Sequence, residues 1–231
     1  MLQYRRATTI REIELMQRLR YRVYCEEKHF LDSKSYQEFR ETDQYDQYAT
    51  HYVFADSETP EQLVGCLRFI KANPLGFPLE TVAGISVDAQ TRPHTAEMSR
   101  LIIDPQFRGH SASIFLPMIK TAYLFCRQQD VRYFIALAER ALGELYRRYG
   151  TCPHEITNGR WHMNGFVIPY FNDWADVDRQ YARKSPRFHR YLTEPTPDHP
   201  WVQGDEFNAV LQHEWPTAEW SVTLQSIAAA A

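Results

Sequence analysis

Apolar residues in the first part of the chain are spaced first as in a strand and then as in a helix. Residues 2–7 form a strand-like run, and the pair Thr9 and Glu12 forms the capping-box pattern that starts a helix. The spacing behind this pair predicts a helix to about Glu27, whereas residues 28–48 have little apolar periodicity and predict a loop or broken short helices. The inward positions of the predicted helix are Ile13, Met16, Leu19 and Val23.

The middle of the chain predicts a hairpin, a strand and a long helix. His51–Asp56 and Leu63–Lys71 are strand-like runs joined by a polar loop, which is the pattern of a β-hairpin. Residues 79–93 are poorly patterned, and we predict only a short strand or coil there. Glu97–Asp104 predicts a strand, and a polar loop separates it from an amphipathic helix that extends to about Gln128. The apolar stripe of that helix consists of Ile114, Phe115, Met118, Ile119, Ala122 and Phe125.

The C-terminal half continues the alternation of strands and helices. Val131–Leu137 predicts a strand and Glu139–Tyr149 a helix, and Cys152–Thr157 and Gly165–Phe171 predict two late strands. Asp176–Tyr191 is a basic run interrupted by a proline, and its default interpretation is a solvated helix face. The whole order predicts an α/β domain. The basic residues of the last run are Arg179, Arg183, Lys184, Arg187 and Arg190.

The composition is that of a globular protein with no general affinity for nucleic acid. The 231 residues are 44% apolar and 24% charged and have a formal net charge of -3, so no overall cationic field attracts nucleic acid or an anionic membrane. We expect one domain at 1–192 and an extension at 193–231 that packs on the domain or on a partner. No transmembrane run and no signal-peptide segment is found, so we expect a cytoplasmic protein. The four cysteines are far apart, which favours reduced thiols and gives no metal site.

A charged pair interrupts the apolar strand at 97–104. Glu97 and Arg100 lie in this run on either side of Ser99, and simple alternation would place Glu97, Ser99 and Leu101 on one face and Arg100 on the other. If both charged groups serve one site, a bulge must shift the register, and we predict it near Ser99–Ile102. A carboxylate at this place is a candidate general base.

The polar loop after this strand has the pattern of a phosphate site. Residues 106–111 contain a glycine and precede a helix, so their free backbone N–H groups are candidates for holding a phosphate or pyrophosphate. Pro117 must fall in the first turns of that helix or kink it.

Other charged residues are candidates for a buried ion network. Arg20 and Tyr24 are four residues apart and share one helix face. Asp43 and Asp46 are suited to bind a substrate amine, to orient an arginine, or to form a solvated turn. Arg68 shares a strand face with apolar residues, so it needs a partner if it is buried, and Asp43, Asp46 or Glu97 are the candidates.

These segments together resemble the GNAT acyltransferases. The loop at 106–111 resembles that family's phosphate loop, with Ser111 in place of a smaller residue, and the resemblance implies a GNAT acyl-CoA N-acyltransferase fold with a mixed central sheet flanked by helices. The chain most resembles the bacterial acyltransferases associated with PEP-CTERM/exosortase systems and the N-acyl amino acid synthases, and more distantly the acyl-homoserine lactone synthases. The matching stretches are 19–27, 30–31, 41–46, His51, 64–68 and 97–100.

The resemblance implies transfer of an acyl group, expected to be long, from acyl carrier protein or coenzyme A to the amine of an amino acid or similar small molecule. It implies a catalytic group of Glu97, Ser99 and Arg100, with Glu97 as the base. The donor would lie along Leu101, Ile102, Ile103, Gln106, Arg108, Gly109, His110 and Ser111. The substrate side and its ion network would be Arg20, Tyr24, Phe30, Asp43, Asp46 and Arg68.

Three other functions stay open at this stage. The first is an acyl-homoserine lactone synthase, which uses S-adenosylmethionine. Those synthases have phenylalanine and tryptophan where this chain has Tyr24 and Phe30, and this difference argues against that function. A short-chain N-acetyltransferase and a non-catalytic module that binds acyl thioesters are the other two. If a carrier protein is the donor, the basic run at 179–190, or Arg18 with Arg22, is suited to bind its acidic surface.

Overall fold

A computed structural model describes residues 2–148 and 154–193, and for 109–113 and 148 it describes the backbone without the side chains. The described chain forms two compact units. The first consists of 2–70, Met98–Ile119 and Met163–Gly165, and the second of the remaining described residues. The predicted division at 192/193 stays a prediction, because the residues after 193 lie outside the described part.

The first unit is built on antiparallel strands. Strand β1 (Leu2–Arg6) pairs with β2 (Ala49–Asp56), and β2 pairs with β3 (Leu63–Lys71), so the predicted hairpin is confirmed. Strand β4 (Thr95–Ile103) follows β3 in the strand order and contributes its second half to this unit. At the end of β4 the amide of Asp104 donates to the carbonyl of Val64, at 2.9 Å.

The first helix begins as the sequence predicts and ends in a wider turn. Helix α1 (Ile10–Tyr21) has the Thr9–Glu12 capping box, in which each side chain accepts from the other residue's backbone N–H. The chain then continues through a π-helical segment at Arg22–Glu27, which brings the helical region to the predicted end. The helix packs its apolar face on the strands; this core contains Met16, Leu19, Val23, Val53, Ala55, Leu63, Cys66 and Ile102.

Residues 28–48 are irregular, as predicted. They contain three short 3-10 turns at Ser33–Ser35, Gln37–Phe39 and Asp46–Tyr48 and no strand. This segment leads from the end of the π-helical segment to the start of β2. Its carboxylates form ion pairs with arginines of the first unit.

The second unit begins with a helix that the sequence pattern missed. Residues 79–93 were predicted as a short strand or coil, but Pro78–Ala83 is a helix, α2. Its ends are held by local polar contacts: Glu80 accepts from the amides of Phe77 and Val87, at 2.8 and 2.7 Å, and pairs with Arg92. Such contacts leave no trace in apolar periodicity, which explains the error.

In the second unit, strand β8 (Gly165–Asp173) forms antiparallel pairs with β5 (Tyr133–Glu139) and with the short strand β6 (His154–Glu155), and it also pairs with the short strand β7 (Arg160–His162). In this unit the strand order is β4, β5, β8 and β6. The predicted strands at 131–137 and 165–171 are therefore confirmed within two residues.

Four longer helices complete the described chain. Helix α3 (Ser111–Gln128) contains Pro117 in its second turn and ends where the sequence predicts. Helix α4 (Arg140–Arg148) follows β5, while α5 (Trp174–Lys184) and α6 (Pro186–Thr193) meet at the predicted break. The sheet is mixed and flanked by helices, which confirms the predicted fold class. No helix in the described ranges is long and apolar enough to cross a membrane.

Gly65 is required by the close packing of β3. A Cβ atom at this position would lie 2.5 Å from the Cε of Met118 and 2.6 Å from the carbonyl oxygen of Ile102. The methionine end can move, but the carbonyl belongs to backbone. We therefore expect Gly65→Ala to destabilise the protein by about 1–3 kcal/mol, the range for overpacked cores. The measurement is the midpoint of urea unfolding.

The control for this prediction is Glu58→Ala, on the exposed loop of the same hairpin, which should change stability by less than about 0.5 kcal/mol. Equal stability of Gly65→Ala and the unchanged protein would contradict the packing described for β3.

Candidate functional site

Six charged residues meet inside the first unit. We call them the arginine–carboxylate cluster: Arg20, Arg68, Arg100, Glu41, Asp43 and Asp46. Three guanidinium groups and three carboxylates give a formal charge of zero. The structure thus brings together all five charged members of the predicted ion network and catalytic group that lie in this unit, and it adds Glu41.

Glu41 binds two of the arginines. Its side chain is fully buried and accepts from the Nε of Arg20 through one oxygen. Arg100 donates to both oxygens, from Nη2 to Oε1 at 2.8 Å and from Nε to Oε2 at 3.1 Å. This carboxylate therefore joins helix α1 to strand β4.

The two aspartates bind the third arginine. The Nη1 of Arg68 lies 2.6 Å from Asp43 Oδ1 and 2.7 Å from Asp46 Oδ1, and its Nε donates to the hydroxyl of Ser99 at 2.8 Å. Asp46 also accepts from Arg20 at 2.8 Å. Of the three partners that the sequence offered for Arg68, the structure shows Asp43 and Asp46.

A tight turn presents the two aspartates side by side. The amide of Asp43 donates to Asp46 Oδ2 at 3.1 Å, and the amide of Tyr45 donates to Asp43 Oδ1 at 2.9 Å. Such aspartate turns form wherever the side chain can accept a nearby backbone N–H. The interpretation of these residues as a purely solvated turn is therefore wrong: the turn exists, but its carboxylates face arginines.

The electrostatics of the cluster favour the charged forms. Burial alone would raise the pKa of Glu41, but Arg100 and Arg20 outweigh it and lower the pKa to about 2. For Asp46 burial is likewise outweighed, by Arg20 and Arg68, and its pKa is well below the usual range. Both carboxylates are ionised at neutral pH.

One edge of the cluster is open. The side chains of Arg20, Glu41 and Arg68 are at most 1% exposed, whereas those of Arg100, Asp46 and Asp43 are 10%, 15% and 23% exposed. The hydrogen bonds of Arg100 to Glu41 and Asp43 are made by its Nε and Nη2. The open edge therefore offers a guanidinium group and two carboxylates to a ligand.

Aromatic rings lie beside this edge. The guanidinium of Arg100 stacks over the ring of Tyr24 at 5.1 Å, and the rings of Tyr24 and Phe30 are 6.0 Å apart. Arg100 has a φ of 53°, a left-handed conformation that is uncommon for a residue with a side chain. This conformation lies within Ser99–Ile102, where we predicted that the strand is irregular.

Glu97, the predicted base, lies in the second unit. It is 1% exposed, and its Oε2 accepts from the amide of Leu79 at the start of α2, at 2.8 Å. A carboxylate that accepts this N–H compensates one of the unpaired donors of a helix start. The structure therefore gives Glu97 a structural contact, and its role as a base stays a prediction.

The predicted donor loop makes contacts within itself and with the π-helical segment at Arg22–Glu27. The amide of Gln106 donates to the side chain of Asp104 at 3.0 Å. The amide of Phe107 donates to the backbone carbonyl of Asp104 at 2.9 Å. Arg108 makes a two-pronged ion pair with Glu27, at 2.5 and 2.9 Å. The side chains of His110 and Ser111 lie outside the described part, and of Gly109 only the backbone is described.

The other predicted donor residues continue along β4. Ile102 is 3% exposed and belongs to the apolar core of the first unit, whereas Leu101 and Ile103 are partly exposed. Ile102 is therefore a packing residue, and only Leu101 and Ile103 present a surface to a ligand.

The structure describes three of the four cysteines and the basic run, whereas Cys152 lies outside the described residues. Cys25, Cys66 and Cys126 are buried free thiols, and burial raises the pKa of Cys25 to about 11 and that of Cys66 to about 12. Among the described residues, no group of three or more histidine, cysteine or acidic side chains is arranged to hold a metal ion. Arg183 and Lys184 are exposed on α5.

Comparison with known proteins finds similarity to the GNAT domain. Residues 19–117 match the model of the acetyltransferase (GNAT) domain, so the resemblance to GNAT acyltransferases is confirmed. An acyl-homoserine-lactone synthase from Vibrio anguillarum is 25% identical over 134 residues, which are 54% of this chain and 67% of the relative. The association with PEP-CTERM/exosortase systems stays a prediction.

Two solved structures share the fold. The coenzyme A-dependent acyl-homoserine lactone synthase BjaI, with S-adenosylmethionine and isopentyl-CoA, aligns with a TM-score of 0.65 at 16% identity, over 91% of this chain and 98% of that one. FeeM, an N-acyl amino acid synthase from uncultured soil microbes, aligns with a TM-score of 0.59 at 16% identity, over 78% and 94%. At these identities the likeness shows the fold alone.

The pKa shifts of the cluster predict loss of stability in acid. The pKa of Glu41 is about 2 in the folded protein and near 4.5 when unfolded, so the unfolded chain binds more protons between these values. The contribution of Glu41 is fully present above about pH 4.5 and is lost as the pH falls towards 2. Between about pH 2 and pH 4.5 the unfolding free energy of the unchanged protein rises with pH. We expect Glu41→Gln to make this rise less steep, by the equivalent of up to ~1 bound proton.

Denaturant unfolding at a series of pH values measures this slope. Glu58→Gln, on the exposed hairpin loop, is the control and should keep the slope of the unchanged protein. If Glu41→Gln does not fold, because it leaves two buried arginines without their carboxylate, Asp46→Asn takes its place. An unchanged slope in the folded variant would contradict the described electrostatics.

Proposed function

We propose that this chain, an N-acyltransferase with the GNAT fold, transfers an acyl group from a phosphopantetheine thioester to the amine of an amino acid or a similar small molecule. The donor is an acyl carrier protein or coenzyme A, and the acyl group is long. The observation that carries the proposal is the open edge of the arginine–carboxylate cluster, with Arg100, Asp43 and Asp46.

This edge is complementary to an amino acid. A guanidinium group binds a carboxylate through paired hydrogen bonds, and the bonds of Arg100 to Glu41 and Asp43 use its Nε and Nη2. Asp43 and Asp46 are the partly exposed carboxylates of the cluster and are suited to an ammonium group. Because the buried members fix these three side chains, the edge is preorganised.

The chemical step requires a base and a place for negative charge. The amine is mostly protonated at neutral pH, so it must lose a proton before its nitrogen attacks the thioester carbonyl carbon. Glu97 accepts the proton of the ammonium group, directly or through water. The neutral nitrogen then attacks, the N–C bond forms and the C–S bond breaks, and the second proton that the nitrogen loses goes to the departing thiolate sulfur. In this proposal backbone N–H groups near the left-handed Arg100 stabilise the oxyanion, a contribution of ~3 kcal/mol per donor.

The second candidate is an acyl-homoserine lactone synthase. The Vibrio anguillarum relative carries that name, which is the specific observation in its favour. Tyr24 and Phe30 differ from the aromatic pair of that family, and the ring of Phe30 is smaller than an indole. We therefore place amine acylation without lactone formation first.

A product assay separates the two candidates. Purified protein is supplied with acyl donors of several lengths, on carrier protein and on coenzyme A, together with a panel of amino acids or with S-adenosylmethionine. We expect N-acyl amino acids, with faster turnover for the longer chains, detected by mass spectrometry. A lactone formed only with S-adenosylmethionine would favour the second candidate, and no product with any amine would reject both.

Replacement of Glu97 by glutamine tests the base. The glutamine oxygen can still accept the hydrogen bond from the Leu79 amide, so the start of α2 is kept, but an amide cannot take up a proton. We expect turnover to fall about 10²–10⁴-fold, the usual contribution of a general base, with little change in thermal stability. Turnover is measured by thiol release from the acyl donor.

Glu80→Gln serves as the comparison, because Glu80 also binds backbone amides near α2 but has no assigned part in the reaction. We expect it to lower stability and to keep turnover within a few-fold. If Glu97→Gln behaves in the same way, with stability lost and turnover kept, the carboxylate is structural and the base assignment is wrong.

A further inference from the structure

Two ion pairs join the end of the first helix to the predicted donor loop. Arg22 lies 2.6 Å from Asp104, and Glu27 binds both terminal nitrogens of Arg108. Arg22 and Glu27 are the first and last residues of the π-helical segment. Asp104 and Arg108 stand at the two ends of the short turn that follows β4.

All three side-chain nitrogens of Arg108 already donate hydrogen bonds within the protein. Its Nη1 and Nη2 donate to Glu27 at 2.5 and 2.9 Å, and its Nε donates to the carbonyl of Ile103 at 3.2 Å. A guanidinium group uses the same pair of N–H groups for a carboxylate and for a phosphate. The phosphate of an acyl donor can therefore bind the two terminal nitrogens of Arg108 only when Glu27 no longer occupies them.

The exchange is sterically possible because the pair is at the surface. The side chains of Arg108 and Glu27 are 41% and 32% exposed, so either one can rotate into solvent. Hydrogen bonds from Arg108 lower the pKa of Glu27, which keeps it ionised as a competitor. Exposed pairs of this kind are weak enough to be displaced by a dianion.

We propose that Glu27 is a positioning residue that occupies Arg108 in the free protein and is displaced by the donor's phosphate, so that donor binding releases the end of the π-helical segment. The inference rests on the proposed function, in which Arg108 contacts that phosphate. Glu27 thereby sets the affinity for the donor and couples it to the segment that carries Tyr24.

Glu27, the last residue of the π-helical segment, lies next to the hydrogen bonds that hold the backbone around Tyr24 and Phe30. The amide of Lys28 donates to the carbonyl of Val23 at 2.9 Å, a π-type bond, and the amides of Phe30 and Leu31 both donate to the carbonyl of Tyr24, at 2.8 and 3.2 Å. Glu27 lies between these donors and acceptors in sequence. Once it is detached from Arg108, these three hydrogen bonds lose the ion pair that anchors them.

The test compares two neighbouring glutamates. Glu27→Gln removes the competitor, whereas Glu26→Gln removes the same charge one residue earlier from an exposed side chain that makes no ion pair with Arg108. Affinities for coenzyme A and for 4′-phosphopantetheine are measured by titration calorimetry. We expect Glu27→Gln to bind about three- to ten-fold more tightly than the unchanged protein, since an exposed pair is lost.

The other outcomes of the titration are distinct. Equal affinities of Glu27→Gln and Glu26→Gln would overturn the inference and leave the proposed function in place. No binding of either compound to any variant would reject the donor site of the proposed function and the inference with it. In Arg108→Gln the substitution of Glu27 should add nothing, and a gain there would also overturn the competition.

Hydrogen exchange tests the coupling. We expect coenzyme A to speed amide exchange at Lys28, Phe30 and Leu31 in the unchanged protein and in Glu26→Gln. In Glu27→Gln these amides should exchange quickly before coenzyme A is added and change little afterwards. Slower exchange on binding in the unchanged protein would contradict the release of this segment.

Discussion

The first unit depends on the pairing of buried charges around Glu41. Moving an unpaired carboxylate or guanidinium group out of water costs several kcal/mol, and three such groups, Arg20, Glu41 and Arg68, are almost fully buried. Each is tolerable because it is paired with opposite charge from another element. Arg20 of α1 and Arg68 of β3 bind carboxylates of the irregular segment, and Glu41 of that segment binds Arg20 and also Arg100 of β4. The charges therefore hold the irregular segment at 28–48 against a helix and a strand, where few apolar residues do so.

This pairing also explains how so irregular a segment can hold its carboxylates in fixed positions. Its backbone has only short 3-10 turns, yet the carboxylates of Asp43 and Asp46 are placed within 3 Å of guanidinium nitrogens. A preorganised ion network can position groups for a ligand at no further cost on binding. Arg100 completes the arrangement from a left-handed position in β4, so that the strand and the loop present one common edge.

Most elements could be predicted because periodicity and caps are local. The capping box at Thr9 and the hairpin at 49–71 are confirmed, whereas α2 was missed since Glu80 holds it through polar contacts that periodicity does not report. In the site, the resemblance singled out the arginines and aspartates. Glu41 entered only as the first residue of the matching stretch 41–46, without a role of its own. Charge balance did not point to Glu41, because Glu97 already balanced the three arginines and two aspartates in the predicted set. The pair of Arg108 with Glu27 joins residues 81 positions apart, and no sequence spacing indicates it.

The π-helical segment at Arg22–Glu27 fixes the number of residues in this part of the chain. Its hydrogen bond from Lys28 to Val23 spans five residues instead of four, so the turn holds one residue more than an α-helix would. Deletion of a single residue here would allow an ordinary α-helical turn to close, and the carbonyls of Val23 and Tyr24 would no longer have their present spacing from the amides of Lys28, Phe30 and Leu31. Natural relatives that keep this site should therefore differ in length in the loops on either side of the segment, and hardly ever within it.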